Sequence, residues 1–233
     1  MGFIEVKDLT KTYKTRDGEV TVLDKVSFFA KKGEFCVLFG PSGSGKTTIM
    51  NILAGMAAAT EGVVEIDGQD ITAYDERELE EYRRTEAGYV MSADNLIPTL
   101  TVLENLELAA KLISRPFDPA RALENVDLAD MADKFPAQLT RAQRQKAAIA
   151  RAMVKHSRLI LLDEPLTQLS CEDGKDVLNT LEEICTETGK TILLATANEA
   201  VTEMADRVVR LRDGRVYRKS MNKNKKDIED LKW

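Results

Sequence analysis

Histidine is nearly absent from this 233-residue chain: His156 is the only one. Imidazole is the side chain that most readily changes charge near neutral pH. Proton relays built on several histidines, and metal centres built on histidine clusters, are therefore excluded. There are only 3 cysteines. Cys36, Cys171 and Cys185 are odd in number and match no metal-ligand spacing, which points to reduced structural thiols. Long apolar runs are missing as well. The longest, such as residues 159–162, are strand-sized and far short of the roughly 20 residues of a membrane span. No apolar signal core follows the first charges of MGFIEVKDLTKTYK, so a cytoplasmic location is expected. A formal net charge of -6 gives no long-range attraction to nucleic acid, and no nucleic-acid partner is expected.

What remains is an ordinary globular composition, with 31% charged and 43% hydrophobic residues. The length suits one large domain or one domain with an inserted subdomain. Short apolar strands alternate with helical patterns: 35–39 then 46–53, 87–91 then 102–112, 159–162 then 174–187, and 191–194 then 199–205. Such alternation predicts an α/β fold with a largely parallel sheet covered by helices on both faces. Near the N-terminus, 3–6 with 20–29, and 63–66 followed by Asp67-Gly68, read as hairpin strands of an antiparallel piece. Between about 92 and 157 the strand signal disappears and helical patterns dominate, broken at Pro98, Pro116, Pro119 and Pro136. This stretch is expected to be an all-helical insertion. The charged tail, 219–233, ends NKNKKDIEDLKW and is expected to be frayed or docked on the surface.

Two segments declare a phosphate site. FCVLFGPSGSGKTTIMNIL, 35–53, sets Gly40, Pro41, Ser42, Gly43, Ser44, Gly45, Lys46, Thr47 and Thr48 between an apolar strand and the start of a helix. Glycines there let the backbone curl so that several N–H groups point inward, and the helix N-terminus adds partial positive charge. Lys46 would reach the β- and γ-phosphates of a nucleotide, and the Thr47 hydroxyl would ligate Mg²⁺. LILLDEP, 159–165, delivers Asp163 and Glu164 at the end of a second apolar strand. Asp163 would hold Mg²⁺ through water, and Glu164, the candidate catalytic residue, would polarise the attacking water.

On these motifs the chain resembles the ATP-binding-cassette ATPases, most closely the lipoprotein-release and macrolide-export branch, from Ile4 to about Arg218. The resemblance implies a P-loop NTPase (RecA-like) core with an N-terminal antiparallel β-subdomain and an inserted all-helical subdomain, together forming a single cassette over 1–233. It implies ATP and Mg²⁺ as cofactors, a membrane permease on a separate chain, and a homodimer or heterodimer with another cassette. The protein would then sit peripherally at the inner face of the cell membrane. Tyr13 in LTKTYK matches the aromatic residue that stacks on adenine; a core tyrosine is the alternative. DNLIPTLTVLENL, 94–106, is similar to the segment facing the permease, and VVRLRDGRV, 208–216, to the closing strands. FPAQLTRAQRQKAAIARAM, 135–153, aligns with the signature loop and helix. Thr140 and Gln143 are thereby implied to contact the nucleotide of the opposite subunit.

Four departures accompany these matches. Ser92 stands where the family has a glutamine that contacts Mg²⁺ and senses the transport domain. Arg141 and Ala142 replace the glycines of Leu-Ser-Gly-Gly-Gln, which let a helix N-terminus approach the γ-phosphate across the dimer. Ser170 takes the place of an aspartate, and in TILLATANEA, 191–200, Ala197 takes that of the histidine that holds the γ-phosphate and water. His156, in an expected loop before the Asp163 strand, is read as solvated or capping rather than as a substitute. Arg141 is read either as disrupting close approach or as an arginine finger toward the partner's γ-phosphate. Slow turnover follows from these changes. The alternative is an ATP-gated structural or regulatory cassette with little or no hydrolysis.

Overall fold

The computed structural model describes residues 2–16, 18–155 and 157–233. His156 lies outside the described residues. The chain opens with β1 (Ile4–Thr15), β2 (Gly18–Ala30) and β3 (Phe35–Phe39), followed by α1 (Lys46–Leu53). Next come β4 (Glu61–Ile66), β5 (Gln69–Asp70), α2 (Glu76–Thr85) and β6 (Ala87–Val90). The helices α3 (Val102–Ala110), α4 (Pro119–Glu124) and α5 (Arg141–Val154) then run without an intervening strand. The chain closes with β7 (Leu159–Asp163), α6 (Cys171–Thr188), β8 (Thr191–Thr196), β9 (Arg207–Arg212) and β10 (Arg215–Met221).

The strands form two sheets. One is antiparallel, in the order β2-β1-β4-β5, and the other has six strands in the order β10-β9-β3-β8-β7-β6. In the larger sheet β9, β3, β8, β7 and β6 run parallel, and β10 returns antiparallel along one edge. Its central strands are buried on both faces, as their near-continuous apolar sequences require. Phe35 and Val37 of β3 face a core shared with α5 and α6, and Cys36 and Leu38 face a second core shared with α1 and the antiparallel sheet. Alternate residues of β7 and β8 divide the same way, Ile160 and Ile192 to the first core, Leu161 and Leu193 to the second.

The structure departs from the expected elements in ways that have local causes. Beyond Val6, β1 continues through polar residues to Thr15, held by its register with β2 from Leu9 opposite Val26 to Thr15 opposite Gly18. Left-handed residues Asp8 and Lys25 (φ 47 and 49) allow the bulges that bend this ribbon. Helix α2 has only Tyr82 buried, so its apolar periodicity is weak, but the capping box of Asp75 and Glu78 starts it firmly. The helix expected at 199–205 is a single 3-10 turn, Ala200–Glu203. The Asn222 side chain takes the carbonyls of Thr202 and Ala205, both at 2.7 Å, which diverts acceptors a continuing helix would use. Residues 222–233 dock: Ile228 and Leu231 are fully buried in the α5/α6 core.

Candidate functional site

Parallel strands aligned in register put their C-terminal ends side by side, and the loops leaving those ends share one rim of the sheet. Phe39 pairs with Thr196, Asp163 with Ala195, and Val90 with Leu162. The loop 40–45, Glu164, Ala197 and Ser92 therefore leave the sheet along a single edge. Two backbone bonds bind this edge together: Gly40 N–H donates to the Thr196 carbonyl at 3.2 Å, and Glu164 N–H to the Ala195 carbonyl at 2.9 Å.

The curl of the loop depends on glycine. Gly43 and Gly45 are left-handed, with φ of 79° and 100°. A Cβ at Gly45 would lie 2.5 Å from Leu23 Cδ2, whereas nothing lies within 4 Å of one at Gly43, which faces open space. Gly45 is the N-cap of α1 and has no side chain to satisfy the helix's first N–H groups. Those donors are left to a ligand with oxygen acceptors.

Lys46 is buried, and its Nζ donates to the carbonyls of Gly40 (2.7 Å) and Pro41 (3.0 Å). It also pairs with Glu164 Oε1 at 3.2 Å. The other carboxylate oxygen of Glu164 accepts the Ala197 N–H at 3.3 Å. Glu164 thus ties the ammonium of the loop to the end of β8, from a left-handed backbone with φ of 51°.

Beside this pair, the Thr47 hydroxyl lies close enough to the Asp163 carboxyl to favour its charged form. Two buried oxygens among the described residues find no partner here: Ser44 Oγ in the loop and Asp163 Oδ1 at the strand end. Orphaned buried oxygens are costly, and these two flank the cradle. A hydroxyl and a carboxylate side by side form a hard oxygen set of the kind Mg²⁺ takes together with phosphate oxygens. The residues fit a magnesium nucleotide.

Burial holds the Asp163 carboxyl above its ordinary pKa, with Glu164 adding to the rise and Thr47 and Lys46 opposing it. The folded carboxyl therefore keeps its proton to higher pH than the unfolded one. Between those two pKa values the native state binds more protons, so stability falls as pH rises through that interval. Asp163→Asn should accordingly raise the melting temperature of the nucleotide-free protein at neutral pH. The same change should weaken Mg²⁺-dependent ATP binding by about tenfold or more, as loss of a charged ligand does. Thermal melts with and without MgATP check both signs.

The other expected site residues lie apart from this cluster. Pro41 and Ser42 are exposed on the loop, and Thr48 is half-buried on α1. Tyr13 is 40% exposed on β1, with Lys11 Nζ 4.8 Å from its ring centre. It stands two residues from Lys11, whose partner in β2 is Leu23, the residue packed over Gly45. Thr140 and Gln143 engage each other as the capping box of α5: Thr140 Oγ1 accepts the Gln143 N–H at 3.2 Å, and Gln143 Oε1 accepts the Thr140 N–H at 2.9 Å.

Two of the departures have contacts that the motifs do not announce. Arg141 is exposed, and its guanidinium donates to Gln168 Oε1, in the loop that follows Glu164. Ala142 is 5% exposed and directs its methyl into the helical core, so it does not obstruct the surface of α5. Ser92, Arg141 and Gln168 line one cavity of about 380 Å³ with Gln145, whose buried Nε2 has no partner. The motifs contain no signal for Gln145 or Gln168, which gain their places only through tertiary contact.

The pattern that describes the family "ABC transporter" matches residues 23–167. An uncharacterized ABC transporter ATP-binding protein of Mycobacterium tuberculosis is 37% identical over 229 residues, covering 96% of this chain and 92% of that protein. MJ0796 of Methanocaldococcus jannaschii is 38% identical over 224 residues, covering 92% of this chain and 95% of its own. The macrolide export ATP-binding/permease protein MacB of Hyphomonas neptunium is 37% identical over 225 residues, which span 94% of this chain but 35% of MacB. The dimeric structure of MJ0796 superposes with a TM-score of 0.84 at 36% identity, covering 94% of this chain and 98% of that one. With the phosphate-type loop, the carboxylate pair and this likeness along almost the whole length, the chain belongs to the ABC transporter family, as an ATP-binding cassette with the P-loop NTPase fold.

Proposed function

We propose that the chain binds MgATP at the rim formed by 40–48, Asp163 and Glu164, hydrolyses it slowly, and works against a separate membrane permease of export or lipoprotein-release type. The observation that carries this reading is the pair of unpartnered buried oxygens, Ser44 Oγ and Asp163 Oδ1, on either side of Lys46. The loop amides of Gly43 to Lys46 and the Lys46 ammonium would hold the phosphates, and Tyr13 the base. Thr47 and Asp163 would hold Mg²⁺, which supplies charge neutralisation for phosphoryl transfer. Glu164, released from Lys46 once phosphate takes the ammonium, would orient the attacking water and accept its proton.

The helical stretch 92–157 would form the arm that carries Thr140 and Gln143 to a second cassette. MJ0796 has been seen as a dimer, also in a post-hydrolysis state bound to ADP and Pi. No helix among the described residues is long and apolar enough to cross a membrane.

Turnover is limited by what the rim lacks. Ala197 offers Glu164 only a backbone N–H, and Ser92 is too short to reach both a metal and a partner. A positioned charge-stabilising donor is worth on the order of 10²–10³ in rate. The double change Ala197→His with Ser92→Gln should therefore raise steady-state ATPase by about tenfold or more. A rate left unchanged would move the limiting defect to Arg141 and its bond to Gln168. Equilibrium binding of MgATP to the parent tests the central claim.

A further inference from the structure

We propose that residues 222–233 are a strap that positions Glu164 by fastening both of its supports; this rests on the reading of Glu164 given above. Glu164 is held from two sides. Its own loop runs from β7 to the N-cap of α6, where Ser170 Oγ accepts the Asp173 N–H at 3.0 Å. That loop contains two non-glycine residues in left-handed backbone, Glu164 and Gln168, with φ of 51° and 64°. Strained backbone keeps its shape only where the surrounding structure over-determines it, so the loop depends on firm ends. The second support is the turn after β8, through the Ala197 N–H on Glu164 Oε2.

The strap grips each support. Trp233 lies in a notch on the first turn of α6 that only glycine leaves open: a Cβ at Gly174 would be 2.5 Å from the ring carbon Cζ2. The next residue, Lys175, donates to the carbonyl of Glu229. At the other end, Asn222 Nδ2 holds the carbonyls of Thr202 and Ala205, and Lys226 N–H donates to the Glu203 carbonyl at 3.0 Å. Lys225 pairs with Asp206 at 3.2 Å. Between the two grips, Ile228 and Leu231 are 2% and 0% exposed.

A lysine-rich segment of this composition is ordinarily solvated. Here it crosses from the turn after Ala197 to the helix after Ser170, the two elements that bracket the Glu164 carboxylate. No strap residue contacts Glu164 itself, so these are positioning residues.

Trp233→Ala removes the grip on α6, and Gly174→Ala expels the ring while improving the helix propensity of α6. In both full-length variants, amide hydrogen exchange over 164–170 and 197–206 should accelerate by about fivefold or more. The kcat for ATP should fall by about fivefold or more, with MgATP affinity within about twofold of the parent, because misplacing a group costs rate rather than binding. The melting temperature of Gly174→Ala should not fall, and Trp233→Phe should restore kcat and protection. The proposal is overturned if exchange and kcat stay at parental values in both variants, if affinity falls in step with kcat, or if Trp233→Phe fails to rescue. A parent that binds no MgATP by equilibrium dialysis would sink the functional reading instead, and the strap then stands or falls on the exchange rates alone.

Discussion

Lys46→Ala is expected to lower MgATP affinity by about 10- to 100-fold, the range set by losing charge-assisted hydrogen bonds. Lys46 is the cation inside the loop, buried to 5% exposure, with no other cation among the bonds that the loop's described residues make. Its removal leaves the phosphate charge facing only N–H dipoles. It also strips Glu164 Oε1 of its 3.2 Å partner, placing an unneutralised carboxylate beside the bound anion. Hydrolysis should fall further than binding, by on the order of 10²–10³, because the ammonium stabilises charge that grows on the transferring phosphoryl group. Isothermal titration with MgATP and a phosphate-release assay separate the two losses. Retention of parental affinity would place the nucleotide somewhere other than this loop.

Glu164→Gln should produce the opposite split. The amide oxygen can still accept the Ala197 N–H, so the rim keeps its shape. Lys46, however, loses its anionic competitor and becomes more available to phosphate. MgATP affinity should be unchanged or a few-fold tighter, while hydrolysis falls by on the order of 10²–10³ through loss of the group that orients and deprotonates water. Single-turnover measurement at saturating MgATP checks the rate, and titration checks the affinity. A fall in affinity comparable to that in Lys46→Ala would show that Glu164 holds nucleotide rather than water.

The rim formed by 40–48, Asp163 and Glu164 was legible in the sequence because its determinants are local. An apolar five-residue run, left-handed turns that only glycine takes without strain, and a lysine at the start of a helix all fall within 35–53. The carboxylates of LILLDEP follow the same logic, since a strand buried on both faces must end where polar residues begin. The antiparallel sheet was legible only in its apolar parts. Lys7 to Thr15 joins β1 because β2 supplies a partner, and beyond the buried Leu9 the strand carries no apolar alternation to mark it. Helix α2 was missed for the related reason that it buries little beyond Tyr82, so capping rather than periodicity marks it.

Contacts between distant segments were not legible at all. Arg141 and Gln168 are 27 positions apart, and each reads as a polar surface residue until folding brings α5 against the loop after β7. Trp233 looked like part of a charged tail because its receptor is the missing side chain of Gly174. Ala197, by contrast, was informative from sequence through what it lacks. Its geometry adds that a backbone N–H still holds Glu164 where an imidazole was expected.

The two-faced burial of the large sheet and the inward face of α6 also govern which sulfur meets the solvent. Cys36 is the second residue of β3, where burial pushes its thiol up to about 12, and the same cause takes Cys185 to about 11. Oxidants and alkylating reagents attack the thiolate, so both sulfurs stay inert while the fold is closed. Cys171, half-buried at the first position of α6, is left as the sulfur open to modification. It adjoins Ser170, where the loop from Glu164 ends. The one half-buried thiol of the described fold therefore stands at the far end of the loop that carries the Glu164 carboxylate.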